Sequence, residues 1–187
     1  MRIAIATLES VAPYSQSRYH NVPKIDKEGA DEYEQRTWRD RCHFDDEGRL
    51  FIPPMSFKMA LATAARFLSI KIKGRGQATY TKHFESGVLV LEGLPLNVTK
   101  DQVAGETFPM NSDGRRGSGS RVFRTYPVVP SWSGDVTYHI LDDTITKDVF
   151  ETVLRESGKF IGIGRFRPEN GGFNGRYDVK KVVWKEQ

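Results

Sequence analysis

Residues 162 to 177 read Gly162-Ile163-Gly164-Arg165-Phe166-Arg167-Pro168-Glu169-Asn170-Gly171-Gly172-Phe173-Asn174-Gly175-Arg176-Tyr177. Glycines this dense let a backbone reach positive φ and approach another group closely, and Arg165, Arg167 and Arg176 are planar charged forks suited to phosphate. Phe166 adds an aromatic face and Asn170 an amide. Taken alone, the stretch reads equally as a nucleic-acid contact or as a glycine-rich turn with solvated arginines. Its surroundings are informative. Upstream, Thr146 is an N-cap with Ile145 and Phe150 spaced as a hydrophobic staple, and Val149, Phe150, Val153 and Leu154 form the apolar stripe of a helix. Gly158 is expected to end that helix in the left-handed region. Downstream, Tyr177 to Trp184 alternates as a closing strand.

Working outward, residues 2–8 form a short apolar run expected to be a strand buried on both faces. Phe57, Leu61, Ala64, Ala65 and Leu68 fall on one helical face, with Ser56 as the expected N-cap, Lys58 in the first turn beside outward-pointing amides, and Arg66 in the last. Val88 to Leu91 is a second strand, ended by Gly93 and Pro95. Arg121–Val129 and a strand through Val136, Tyr138 and Ile140 are expected to pair as a hairpin around Ser131-Trp132-Ser133-Gly134. The resulting order, β-α-β-β-α-β, is an α+β, ferredoxin-like plan, shared with RNA-recognition domains. We expect one domain over residues 1–187, with insertions at about 12–48 and 100–120. The first is rich in tyrosine, Trp38 and mixed charge; the second is polar, glycine-containing and basic, with its run 113–121 reading as a mobile loop.

The chain has 187 residues and a formal charge of +4, with acidic residues crowding its first third. Arg115, Arg116, Arg121 and Arg124, together with the glycine loop, carry the positive excess, which favours an anionic partner at one surface. Cys42 is the only cysteine, so no internal disulfide is available and a reducing, cytoplasmic setting is expected. No signal peptide or membrane span is expected. His20, His43, His83 and His139 lack metal-ligand spacing, and neither a phosphate-binding P-loop nor a nucleophile elbow is present.

Two stretches together carry a family resemblance. Asp45-Asp46-Glu47-Gly48-Arg49-Leu50-Phe51-Ile52-Pro53-Pro54-Met55-Ser56-Phe57-Lys58-Met59-Ala60-Leu61 resembles the acidic residue, turn and "yIPGSSLKGaLR" helix start of the RAMP superfamily. The glycine loop resembles that superfamily's G-rich loop, and both occupy matching positions on the ferredoxin-like order. The chain thus resembles a divergent branch of the Cas seven family, the guide-RNA-binding backbone subunits of CRISPR effector complexes. Pro54 and Met55 stand where the usual pattern has Gly-Ser, Phe57 and Met59 replace the Leu and Gly flanking its lysine, and the glycine loop is longer. The likeness covers residues 2–8, 45–70 and 136–184.

The resemblance implies non-catalytic binding of a single strand, guide RNA ahead of DNA, by copies arranged head to tail, with other effector subunits as further partners and no cofactor or membrane. The candidate nucleic-acid-binding residues are Ser56, Lys58, Arg66, Arg115, Arg116, Arg121, Arg124, Arg165, Phe166, Arg167, Asn170 and Arg176. Phe123, Tyr126, Phe166, Phe173 and Tyr177 are possible stacking faces. Two other readings stand beside this one. The chain could be a divergent endoribonuclease using Asp45 or Asp46 with His43 close by, or a viral or mobile-element protein that reuses the fold to bind strands or obstruct a backbone subunit.

Overall fold

A computed structural model of the chain describes residues 1–112, 117 and 120–186. In chain order the first elements are β1 (Arg2–Ser10), β2 (Tyr14–Ser15), α1 (Ala30–Thr37) with a 3-10 turn at Trp38–Arg41, β3 (Arg49–Ile52), α2 (Pro54–Leu68), α3 (Thr81–Gly87) and β4 (Val88–Leu89). Then follow β5 (Leu94–Thr99), β6 (Ala104–Asn111), β7 (Arg121–Val129), β8 (Ser133–Ile140), α4 (Lys147–Glu156), a π-helical turn at Ser157–Ile161, a 3-10 turn at Pro168–Asn170 and β9 (Tyr177–Glu186).

The main sheet has the spatial order β4-β8-β1-β9, antiparallel throughout. With α2 and α4 as the crossover helices, this is the ferredoxin-like arrangement: the first strand lies centrally, between the third and the last. β1 pairs with β8 from Arg2↔Ile140 to Glu9↔Ser133, and with β9 across a register shift at Thr7/Leu8. Ala4, Ala6 and Leu8 are fully buried, whereas Ile3, Ile5 and Thr7 are only half-buried. β1 is therefore not buried on both faces as its apolar run suggests; small residues on its inward side let the helices pack close, and the residues of its other face stay partly exposed.

α2 buries Phe57, Leu61, Ala64 and Ala65 against that sheet, and α4 buries Phe150, Val153 and Leu154. Thr146 caps α4, its hydroxyl accepting from the Val149 amide at 3.3 Å, and both staple residues, Ile145 and Phe150, are fully buried. Gly158 does not end this helix: the π-helical turn carries it on to Gly162, which holds the positive φ of 69°. Gly158 is needed for a different reason, since a Cβ there would lie 2.0 Å from the Tyr177 carbonyl oxygen.

The expected hairpin between β7 and β8 does not form. β7 lies between β2 and β6 in a three-stranded sheet, while β8 belongs to the main sheet. The chain crosses between them at Trp132, whose amide donates to Ser10 Oγ at 2.9 Å and whose indole is buried edge-on to Phe57. An anchored tryptophan cannot be a solvated hairpin tip. β6 lies in the second insertion, ahead of the run expected to be a mobile loop, and pairs with β7 from Ala104↔Val128 to Asn111↔Arg121. Pro95 does not end a strand but lies in β5, which among the described residues pairs only with β3; a residue without an N–H is tolerated at such an edge. The first insertion, read as irregular, contains α1. Its Glu34 accepts from the Thr125 amide at 2.6 Å while Arg41 donates to the Thr125 carbonyl at 2.8 Å and to Glu34 at 2.6 Å, so a buried ion pair completes the edge of β7.

Candidate nucleic-acid groove

The start and outer face of α2 and the glycine loop, distant in sequence, form two walls of one groove of about 620 Å³. Pro53, Met55, Ser56, Met59, Thr63 and Arg66 line one side, residues 161–167 with Glu169 and Asn170 the other, and Tyr14, Gln16, Arg18 and His43 close one end.

The loop's glycines serve its own packing. A Cβ on Gly172 or Gly175 would lie 1.8 Å from the carbonyl oxygen of Phe166 or Ile163 respectively, and one on Gly164 would lie 2.3 Å from that of Ser15. Arg165 and Gly175 amides donate to the carbonyls of Ser15 and Pro13 at 2.8 and 2.7 Å, which ties the loop to the segment after β1. Phe166 sits at φ 56°, a strained value for a residue with a side chain, with its carbonyl held by the Asn174 amide.

Each loop candidate has a distinct environment. The Arg165 guanidinium lies 3.3 Å from the ring centroid of Tyr126 and 3.7 Å from that of Phe166, with Phe108 of β6 at 5.6 Å. Burial lowers its pKa below the ordinary guanidinium value, yet the group stays charged. Arg167 pairs with Glu169 at 2.8 Å and donates to the Gly164 carbonyl, so its charge is locally compensated. Arg176 donates to the carbonyls of Lys159 and Phe173. Phe166 and Asn170 are exposed on the groove wall.

Among the remaining candidates, Ser56 is not the N-cap of α2. Pro53 holds that position, and the Ser56 side chain bonds the buried Tyr14 phenol, whose pKa burial raises well above its ordinary value. Lys58 reaches the Glu85 carbonyl of α3 and lies outside the groove. Arg66 is exposed on the groove rim, Arg121 is exposed on β7, and Arg124 pairs with Glu34 at 3.4 Å. Arg115 and Arg116 lie outside the described residues. Tyr177 is core, bonded to Ser157 at 2.6 Å, and is no stacking face; Phe123 and Phe173 are exposed.

Asp45 is occupied by its own turn, its carboxylate accepting from the Glu47 and Arg49 amides and pairing with the Arg49 side chain at 2.9 Å. No cluster of His, Cys, Asp or Glu placed to hold a metal occurs among the described residues. His43 does face the groove, and burial followed by the charge of Arg18 lowers its pKa, leaving a neutral imidazole at pH 7.

Sequence reasoning missed Gln16 and Arg18, and it considered His43 only beside the carboxylates. Gln16 is buried and bonds the Tyr14 phenol, the Phe51 carbonyl and the His43 amide, thereby holding His43 in place. A polar Gln16-Ser17-Arg18 following Tyr14 in an aperiodic stretch gives no local signal of this. The exposed methionines Met55 and Met59, four residues apart on a helix, were visible as departures from the family pattern.

No known family matches the chain by sequence, and no curated protein does. Solved structures do share the fold. A chain of the cryo-EM structure of the Type III-B Cmr-beta bound to cognate target RNA superposes with a TM-score of 0.54 at 10% identity over 99% of this protein. This protein spans 61% of that chain's length. The crystal structure of Cmr6 from Pyrococcus furiosus gives a TM-score of 0.47 at 10% identity, covering 96% of this chain and 99% of that one. A chain of a CRISPR RNA-guided surveillance complex gives 0.43 at 12% identity, with 97% and 68% covered. The α+β, ferredoxin-like architecture is thus shared with a chain of the Cmr-beta structure. Among the described residues no helix is long and apolar enough to cross a membrane.

Proposed function

We propose that this protein binds single-stranded RNA along its phosphate backbone, without cutting it, as a repeating subunit of a CRISPR-type ribonucleoprotein. The observation that carries this reading is the meeting of the α2 start and the glycine loop in one groove, with Arg18, Arg66, Arg165 and Arg167 around it. A groove walled by guanidinium groups and glycine-shaped backbone suits a flexible polyanion, whose phosphates position it without base readout. The fold likeness to a chain of an assembly solved with target RNA supports the same choice. Asp45 engaged with Arg49 argues against the carboxylate nuclease.

The test is fluorescence anisotropy with labelled 12-mers of uridine and of deoxythymidine across a salt series. Binding that weakens linearly with the logarithm of salt, with the RNA preferred and left intact on a gel, is the expected result. Absence of affinity for either oligomer at low salt would sink the proposal. Light scattering with RNAs of increasing length tests assembly, where particle mass should grow with strand length.

A further inference from the structure

At the far end of the groove two aromatic side chains that none of the candidate motifs includes stand together in solvent. Phe67, at the C-terminal end of α2, is 63% exposed, and Phe160, in the π-helical turn, is 49% exposed. Their ring centroids are 5.5 Å apart at an interplanar angle of 33°. Single exposed apolar side chains are ordinary, but here two apolar faces from different elements have been brought together and left uncovered.

Their position relates them to the groove. Thr63 and Arg66, one turn and one residue before Phe67, line it, as do Ile161 and Gly162, the residues directly after Phe160. From Ser56 to Phe67 is roughly 16 Å of helix axis, a span of a few nucleotides. The charge beside them that no carboxylate offsets belongs to arginine. Arg66 has no ion-pair partner among the described residues, Lys159 is paired with Glu156 at 3.0 Å, and Arg176 donates to the Lys159 carbonyl.

We infer that Phe67 and Phe160 form a stacking platform for unpaired nucleobases of the strand whose backbone lies in the groove. This rests on the reading of the groove as a single-strand site and extends it from phosphate contact to base contact. Aromatic stacking is tolerant of sequence, since every base has a π-face, so the platform adds affinity without a preference for particular bases. Arg66 sits where it neutralises the phosphate next to the stacked base. An apolar pair beside an unpaired arginine fits a base on a polyanion better than the apolar face of another protein, which would leave that charge desolvated at the contact.

The experiment compares wild type, Phe67→Ala, Phe160→Ala and Phe160→Trp for binding to a fluorescein-labelled uridine 12-mer and to the same strand with abasic sites at alternate positions. Both residues are exposed, so the variants should retain the circular dichroism spectrum and melting temperature. Each alanine variant should lose about 5- to 100-fold in affinity for the intact strand, with the salt slope unchanged because no counterion contact is removed. Phe160→Trp should bind at least as tightly as wild type. The abasic strand should bind wild type weakly, and the alanine substitutions should weaken it little further. If wild type binds and the alanine variants bind equally well, the platform is wrong while the groove reading survives. Alanine variants that keep their affinity but lose length-dependent assembly would assign the pair to a protein contact instead. If wild type binds no strand, both fall.

Discussion

Arg165 lies over Tyr126 with its guanidinium carbon 3.3 Å from the ring centroid, and the ring of the adjacent Phe166 covers it at 3.7 Å. The charge expected to contact a strand is therefore also the clamp between the glycine loop and the β6–β7 sheet. Removing it should cost on both counts. Arg165→Ala should destabilise by about 1–3 kcal/mol through the lost cation–π and packing contacts, and Arg165→Lys should restore only part, because an ammonium cannot stack as a planar fork. Urea unfolding and oligonucleotide titration of both variants check this; a fully stable Arg165→Ala would show that the stack holds nothing.

The glycines allow an internal comparison. Gly175 and Gly48 have similar positive φ, 70° and 75°, but a Cβ at Gly175 would lie 1.8 Å from Ile163 O while one at Gly48 meets nothing within 4 Å. Gly48→Ala should therefore cost about 1 kcal/mol from conformation alone, and Gly175→Ala about 2–4 kcal/mol with added overpacking. At 2–4 °C per kcal/mol for a chain of about this size, calorimetry separates the two readily.

The Glu34–Arg41 pair is buried, with side chains 6% and 10% exposed. Burial pushes the Glu34 carboxyl up, but the Arg41 hydrogen bonds, the Thr125 amide and the Arg124 charge outweigh it, and the net pKa falls below the ordinary 4.5. Its stabilisation is then fully present above about pH 4.5 and lost as pH falls through the lowered folded value. Glu34→Gln should cost about 3 kcal/mol at neutral pH by leaving Arg41 uncompensated and should flatten this part of the acid limb, whereas the double variant Glu34→Leu, Arg41→Met should be closer to wild type. A pH series of urea midpoints gives the answer.

His43 has a lowered pKa, and the sign of its effect differs between the free and bound states. In the free protein the unfolded imidazole takes its proton near 6.5 and the folded one only lower, so acidification through that window destabilises. A phosphate in the groove favours the imidazolium, so strand binding takes up a proton and strengthens as pH falls below 7. His43→Gln should remove that pH dependence of affinity; an unchanged profile would place the phosphates away from this end.

Much of the architecture was legible along the chain because it is written in local signals. The α4 cap at Thr146, its staple, the apolar stripes of α2 and α4, and the strand alternation are properties of neighbours a few residues apart, and their order yields the ferredoxin-like plan. The errors share one cause. Gly158 was assigned a positive φ that the chain spends at Gly162, because a close approach to Tyr177 and a helix end both ask for glycine. The β7–β8 hairpin followed from turn residues at 131–134, but Trp132 is drawn into the core by Phe57 and Ser10. The first turn of α2 suggests a cap at Ser56, but Pro53 holds that position and Ser56 engages Tyr14, from a distant segment.

The candidate site divides along the same line. Local composition is enough to mark the glycine–arginine loop and the Ile52-Pro53-Pro54-Met55-Ser56 helix start, since backbone freedom, charge and helix initiation are decided by residues within a turn of one another. Which arginines face the groove, which are stacked or paired, and that Arg18, His43, Phe67 and Phe160 stand beside them are set by contacts between segments far apart in the chain. Those contacts depend on the register of β1 with its neighbours and on how closely the loop packs against residues 13–15, and no single stretch of sequence carries either.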